Sequence, residues 1–225
     1  MSQISYWYPM NDWSPDTGAP AQTEIENAAQ LYSTLGVTTL VIGIDGRRLS
    51  TEWDYLENFD SATFAQDLEQ TLDALYASGF TGSIEFMPIN GLENWKTAEH
   101  DRAFWMVEAT LDFIEASDHR DRVNGIVTDT EFASTQEWAL ADDAGKADIL
   151  SQYVTLLEGI NDRVEAFDAQ LTTATYHGAF LDMGDTRFEL DGVNYGNSAV
   201  LGAHVDTIIL PIRLTDVIDP DVAHD

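Results

Sequence analysis

The stretch Val123-Asn124-Gly125-Ile126-Val127-Thr128-Asp129-Thr130-Glu131-Phe132 decides how this chain is read. Apolar and β-branched residues fill its middle, which is the composition of a buried strand. The run then stops at an Asp-x-Glu. Side chains alternate across a strand, so Asp129 and Glu131 share one face, about 6–7 Å apart along the chain, and Thr128 and Thr130 share the other. Crowding two carboxylates at the end of a buried strand raises the pKa of one of them. A carboxyl that keeps its proton at neutral pH is what a general acid requires. The alternative has one acid capping the next loop and the other in solvent; the position at a strand's end keeps both readings open.

Working outward from this strand, strand-like and helix-like segments alternate. Ile4–Met10 reads as a first strand, rich in aromatics. Thr23–Leu35 is a helix with Ile25, Ala28, Ala29, Tyr32 and Leu35 on one face, stopped by Gly36. Val37–Asp45 is apolar at nearly every position, as a strand covered on both faces should be. Ser61 can cap a helix whose stripe is Phe64, Leu68, Leu72, Leu75 and Tyr76, ended by Gly79. Ser83–Ile89 is a third strand, and Phe104, Val107, Leu111 and Ile114 mark a third helix. After Val123–Phe132 comes a long helix from Leu150 to Phe167. Leu171–His177 and Val205–Ile212 are the fifth and sixth strands, with an irregular Gly/Asp-rich stretch, 178–204, between them.

This βαβα rhythm predicts an α/β fold with a parallel sheet covered by helices. A Gly-rich phosphate loop would point to an open, nucleotide-binding sheet, but Pro9-Met10-Asn11-Asp12-Trp13 follows the first strand instead. Polar and aromatic residues collect at strand ends (Tyr8, Asp45, Asn90, Glu131 and Tyr176), as in TIM-type (β/α) barrels, whose sites lie at the carboxyl ends of the strands. Such a barrel has eight strands in about 250 residues, and six are legible here. The expectation is therefore one incomplete or open barrel-like domain over residues 1–225, of about six βα units. Its exposed edges then need a cover: the 178–204 stretch, the carboxyl-terminal tail, or a second copy in a homo-oligomer.

Charge narrows the function. Forty Asp and Glu face ten Lys and Arg, for a net charge of −30 in 225 residues. That surface repels nucleic acid and anionic membranes, and no apolar run reaches the roughly 20 residues of a membrane span. With lysine scarce and aspartate abundant, the composition is that of a protein adapted to high salt, where screening relieves self-repulsion. The amino terminus lacks a basic-then-apolar leader, which predicts a cytoplasmic protein or one whose signal has been removed. There is no cysteine, hence no disulfide or thiolate chemistry. Neither H-E-x-x-H nor a Cys/His cluster, a G-x-S-x-G elbow or a P-loop is present. No metal or cofactor is expected. Asp182, Asp185 and Asp191 are close together, but their spacing is not that of a calcium loop, and a solvated acidic loop is the better reading.

The segment from Gly125 to Phe132 resembles the fourth-strand signature G-I-x-x-D-x-E of (β/α)-barrel glycoside hydrolases. It is distantly similar to the end of the family 18 chitinase motif D-x-x-D-x-D-x-E. Val205-Asp206-Thr207-Ile208-Ile209-Leu210-Pro211-Ile212-Arg213 resembles the sixth strand of such barrels. Val127 departs from the chitinase pattern, where an inner Asp belongs, and so do Pro211 and Ile212, where Met and Tyr are usual. The resemblance implies a carbohydrate ligand, Glu131 as general acid/base and Asp129 as its orienting partner. Tyr8, Trp13, Asp45, Asn90, Trp95 and Tyr176 are the candidate sugar-binding residues, the tryptophans as loop platforms on which a sugar face stacks. Asp45 lies beside Arg47 and Arg48 and would hold a substrate hydroxyl or carboxylate, or else pair within the protein. A nucleophilic second carboxylate is not identifiable. A non-catalytic carbohydrate-binding or assembly protein on the same scaffold is the alternative.

Overall fold

The structure, a computed structural model, describes residues 5–9, 22–49, 61–90, 93–130, 132, 135–176, 188–190, 193–195 and 204–209. The strands are β1 (Ser5–Pro9), β2 (Thr39–Gly43), β3 (Ser83–Asn90), β4 (Val123–Asp129), β5 (Thr172–Tyr176), β6 (Phe188–Leu190), β7 (Val193–Tyr195) and β8 (Thr207–Ile209). The helices are α1 (Gln22–Leu35), α2 (Ser61–Ala77), α3 (His100–Ala116), α4 (Gln136–Leu140) and α5 (Asp143–Phe167).

The main sheet has six strands in the order β1-β2-β3-β4-β5-β8, and every pairing is parallel. The order never reverses. A doubly wound sheet changes direction at a switch point; a sheet that always adds its next strand on the same side, through right-handed crossovers, keeps its helices on one face and curls towards a barrel. The six expected strands are all present. Among the described residues β1 and β8 each have a single strand neighbour, so the six described strands form an open sheet.

Local chemistry explains the element ends. α1 and α2 stop at Gly36 and Gly79, with φ of 70° and 98°. In each case the glycine N–H and the next N–H bond back to carbonyls of the last turn: Gly36 to Ser33 and Val37 to Tyr32, Gly79 to Tyr76 and Phe80 to Leu75. This is the Schellman closure that a left-handed residue permits. α5 starts where the Asp142 side chain accepts from Gly145 N–H at 2.9 Å, and α4 where Thr135 accepts from Trp138 N–H at 3.2 Å.

The outer face of the sheet carries Leu40, Ile42, Ile84, Phe86 and Ile126, packed with the apolar stripes of α1, α2, α3 and α5 into one large core. The inner face carries a separate cluster of Val41, Met87, Val127 and Ala174, with Tyr176 against it. Two register shifts in β3–β4 set these faces. Asn124 is an extra residue opposite Ile84–Glu85, and Met87–Pro88 fill the step opposite Val127. Proline has no ladder N–H to give, and a bulge is where a strand tolerates one. Gly125 is required by closeness: a Cβ there would stand 2.1 Å from the Thr172 carbonyl oxygen.

Three parts of the chain differ from the sequence expectation. The long fourth helix is preceded by the short α4, and the stretch expected to be irregular contains the β6–β7 antiparallel hairpin, whose β6 lies against α5. β8 begins later than expected, at Thr207, anchored by Asp206, whose carboxylate accepts from Thr173 N–H at 2.9 Å.

Candidate functional site

The carboxyl ends of β3, β4 and β5 lie side by side, with Asn90 in register with Asp129 and Thr128 with Thr175. Asp129 is half-buried at the last position of β4. Tyr176 ends β5 and rests on the inner apolar cluster. Its hydroxyl is pushed up to about 12, first by burial and then by the negative charges of Asp129 and Glu85. Two inner-face carboxylates on the neighbouring strands β4 and β3 therefore act on the Tyr176 hydroxyl. Tyr176 stays protonated across the physiological range and can donate a hydrogen bond.

Glu85 was not among the candidates from sequence. It lies in the middle of β3, 8% exposed, on the same inner parity as Met87. Burial raises its carboxyl above the ordinary value. The sequence held one signal: a lone acid in Ile84-Glu85-Phe86-Met87, where every neighbour is apolar. Buried carboxylates are rare, and a perturbed one inside a concave sheet marks a candidate site.

Behind β4 and β5, on the helix side, Tyr153 of α5 is buried and its hydroxyl bonds Thr175 Oγ1 and Thr128. Thr175 in turn reaches the Thr128 carbonyl at 3.4 Å. Thr128 thus points outward, as alternation requires, and this network ties the ends of β4 and β5 together directly behind Asp129. Phe132 is 2% exposed, packed on Tyr153 and Trp138 with ring centroids 5.0 and 5.2 Å away. Thr130 is buried too.

Glu131 and Trp13 lie outside the described residues, and of Tyr8 and Asn90 only the backbone course is described: Tyr8 stands in register with Ile42. Trp95 follows β3 as expected, but it offers no open platform. It is 4% exposed and part of the main core, and Lys96 Nζ lies 5.5 Å from its ring centroid. An aromatic that the core can absorb is worth more there than in solvent. Asp45 forms an intraprotein pair: Arg47 Nε and Nη2 donate to its two oxygens at 2.7 and 2.5 Å. No group of metal-ligating side chains occurs among the described residues, and no described helix is long and apolar enough to cross a membrane.

No protein-family model and no curated protein matches the sequence. Solved structures do match by fold. The polyextremophilic β-galactosidase from the Antarctic haloarchaeon Halorubrum lacusprofundi superposes on 100% of the chain with a TM-score of 0.62 at 10% identity. The β-galactosidase of the psychrophilic Marinomonas ef1 covers 94% with a TM-score of 0.59 at 11% identity. The exo-β-1,4-mannosidase Op5Man5 from Opitutaceae bacterium strain TAV5 covers 81% with a TM-score of 0.52 at 13% identity. The chain spans 42%, 41% and 33% of those proteins respectively. The fold is of the TIM-type (β/α)-barrel kind that these structures share, with six parallel strands in its main sheet among the described residues. The narrower likeness to family 18 chitinases gains no support from these three neighbours.

Proposed function

We propose that the chain is a glycoside hydrolase-like protein in which Glu131 is the general acid/base for cleavage of a glycosidic bond. The observation that carries this is Asp129 at the inner carboxyl end of β4 in a TIM-type barrel fold, where its charge acts on the Tyr176 hydroxyl. In this proposal Glu131, two residues nearer the rim, delivers a proton to the glycosidic oxygen, and Asp129 orients it. The Tyr176 hydroxyl, which keeps its proton, donates to a sugar hydroxyl or to charge developing on the leaving oxygen. Asn90, whose backbone is in register with Asp129, would add a further polar contact. A substrate acetamido group acting as nucleophile would remove the need for a second carboxylate.

Hydrolysis of a panel of aryl β-glycosides tests this. Glu131→Gln should lower kcat by about 10²–10⁴-fold, the usual contribution of a positioned acid/base, with Tm unchanged. Asp129→Asn should lower the rate and move the pH optimum, because it removes the charge beside the acid. Full activity in Glu131→Gln would overturn the assignment. Sugar binding without any turnover in the wild type would instead favour the carbohydrate-binding alternative.

A further inference from the structure

Tyr153 breaks the pattern of its helix. Every other buried residue of α5 is apolar, yet this one carries a hydroxyl into the core, 1% exposed. Facing it are two threonines on the outer face of the sheet, Thr128 on β4 and Thr175 on β5, both fully buried. Valine has the same shape as threonine and would pack there with no polar atom to satisfy. A buried hydroxyl costs stability unless it is hydrogen-bonded, and these three satisfy one another. The Tyr153 hydroxyl bonds Thr175 Oγ1 and Thr128. Thr175 Oγ1 reaches the Thr128 carbonyl at 3.4 Å, and Thr128 Oγ1 donates to the Ala174 carbonyl at 3.5 Å. The Tyr153 ring meets Phe132, with centroids 5.0 Å apart.

Each residue gripped in this way is the chain neighbour of a group with a role in the proposed chemistry. Thr128 precedes Asp129, Thr175 precedes Tyr176, and Phe132 follows Glu131. Side chains alternate across a strand, so fixing Thr128 and Thr175 from behind fixes the inward residues that come next. Tyr153 stays on the helix side, but the site is close: burial raises its hydroxyl, and the Asp129 charge adds to that. A satisfied polar network inside a core favours one arrangement over its alternatives, which apolar contacts alone do less well.

We infer that Tyr153 is a positioning residue: through Thr128, Thr175 and Phe132 it sets where Asp129, Tyr176 and Glu131 stand relative to one another. The roles of those three groups rest on the glycosidase reading, whereas the positioning is geometric and is testable without turnover. Groups that do chemistry work only when their rotamers are locked by packing and hydrogen bonds behind them. Loosening that support costs rate although no reacting atom is touched.

The test compares Tyr153→Phe, which keeps the ring and deletes the hydroxyl, with Thr175→Val, Thr175→Ser and Thr110→Val. Thr110 is the control: its hydroxyl is also buried, on α3, and donates to the Met106 carbonyl at 2.8 Å. On aryl β-glycosides, well below every Tm, Tyr153→Phe and Thr175→Val should each lower kcat about tenfold with KM nearly unchanged. Thr175→Ser, which keeps a hydroxyl, should restore most of kcat, and Thr110→Val should lose stability but not kcat. The second readout is the ionisation of Tyr176, followed by carbon-13 NMR of tyrosine-labelled protein and assigned with Tyr176→Phe. From about 12 in the wild type it should fall in Tyr153→Phe, as the strand ends part and water reaches the hydroxyl, and stay in Thr110→Val. Wild-type kcat in Tyr153→Phe, or an equal loss in Thr110→Val, would overturn the inference and leave the glycosidase reading standing. If the wild type turns over no glycoside, that reading falls and the Tyr176 titration decides alone. A lower midpoint in Tyr153→Phe then sustains the positioning role, and an unmoved one removes it.

Discussion

The two faces of the parallel sheet are built from the same strands and treat burial in opposite ways. On the outer face, Leu40, Ile42, Ile84, Phe86 and Ile126 interlock with four helices in one continuous core. On the inner face, four apolar residues form a small cluster, and with it stand Glu85, Asp129 and Tyr176, the Tyr176 hydroxyl raised by burial and then by the two carboxylates. Closed barrels fill their interior with layers of bulky branched side chains. Here the outer face supplies most of the apolar burial that stabilises the fold, and the inner face is free to hold polar groups that cost stability. The separation follows from alternation along each strand: one residue's step moves a side chain from the packing layer to the chemical one.

Phe86 and Met87 put that difference to the hardest test, because they are neighbours in β3 and both are fully buried. Phe86 meets Phe113 edge-on, ring centroids 5.8 Å apart, within the large core. Phe86→Ala should cost about 4 kcal/mol, the range for an aromatic removed from a tight core. Met87→Ala should cost about 2 kcal/mol, the low end for such a deletion, because the small inner cluster offers fewer partners to lose. Urea unfolding of the two variants measures both. Equal losses would mean that the inner cluster is as much a core as the outer one.

A smaller effect tests the polar layer behind the candidate site. Tyr153 is buried on α5 and its hydroxyl joins Thr175 and Thr128. Tyr153→Phe should lose about 1–2 kcal/mol, since a buried hydrogen-bond partner is left unsatisfied. Thr175→Val removes the same bond from the other side. The double variant should then lose less than the sum of the single ones, which is the mark of a shared interaction. Additive losses would mean that the hydroxyls are satisfied separately.

How much of this was legible beforehand varied with the length of the signal. The strands could be read because each is an apolar run bounded by glycine or polar residues, and α1 and α2 because their stripes end at Gly36 and Gly79. The five-residue α4 and the three-residue β6 and β7 are too short to show a period. Asp129 stood out through its Asp-x-Glu pattern at a strand's end. Glu85 did not, since one acid in a strand of a chain with 40 acids looks like background until its burial is seen. Trp95 shows the converse: an aromatic after a strand reads equally as a sugar platform or as core, and packing chose core. Tyr153 is far from Thr128 and Thr175 in the chain, and only the fold brings the three hydroxyls together.

Glu85 gives the finest test of the contrast between the faces, through a sign rather than a size. Burial raises its carboxyl above the ordinary value of 4.5, so the folded chain holds this proton more tightly than the unfolded chain does. Below pH 4.5 both states carry the proton and Glu85 is at its most favourable. As the pH rises, the unfolded state releases its proton first and gains stability relative to the folded one. The folded state's contribution at this position is then lost progressively until the raised pKa is passed. Glu85→Gln keeps the shape and cannot ionise. Relative to the wild type, its stability should therefore rise between pH 4 and pH 7, and the Tm difference between the two proteins at each pH isolates Glu85 from every other carboxylate. Burial is the main cause of the raised Tyr176 hydroxyl, and the same substitution removes the smaller of the two charges that add to it, so Tyr176 should ionise at slightly lower pH in an ultraviolet titration. If the Glu85→Gln variant instead loses ground to the wild type as the pH rises, the ionised carboxylate has a stabilising partner on the inner face. That face would then be a structural ion-pair layer rather than a place where charge is kept at a cost.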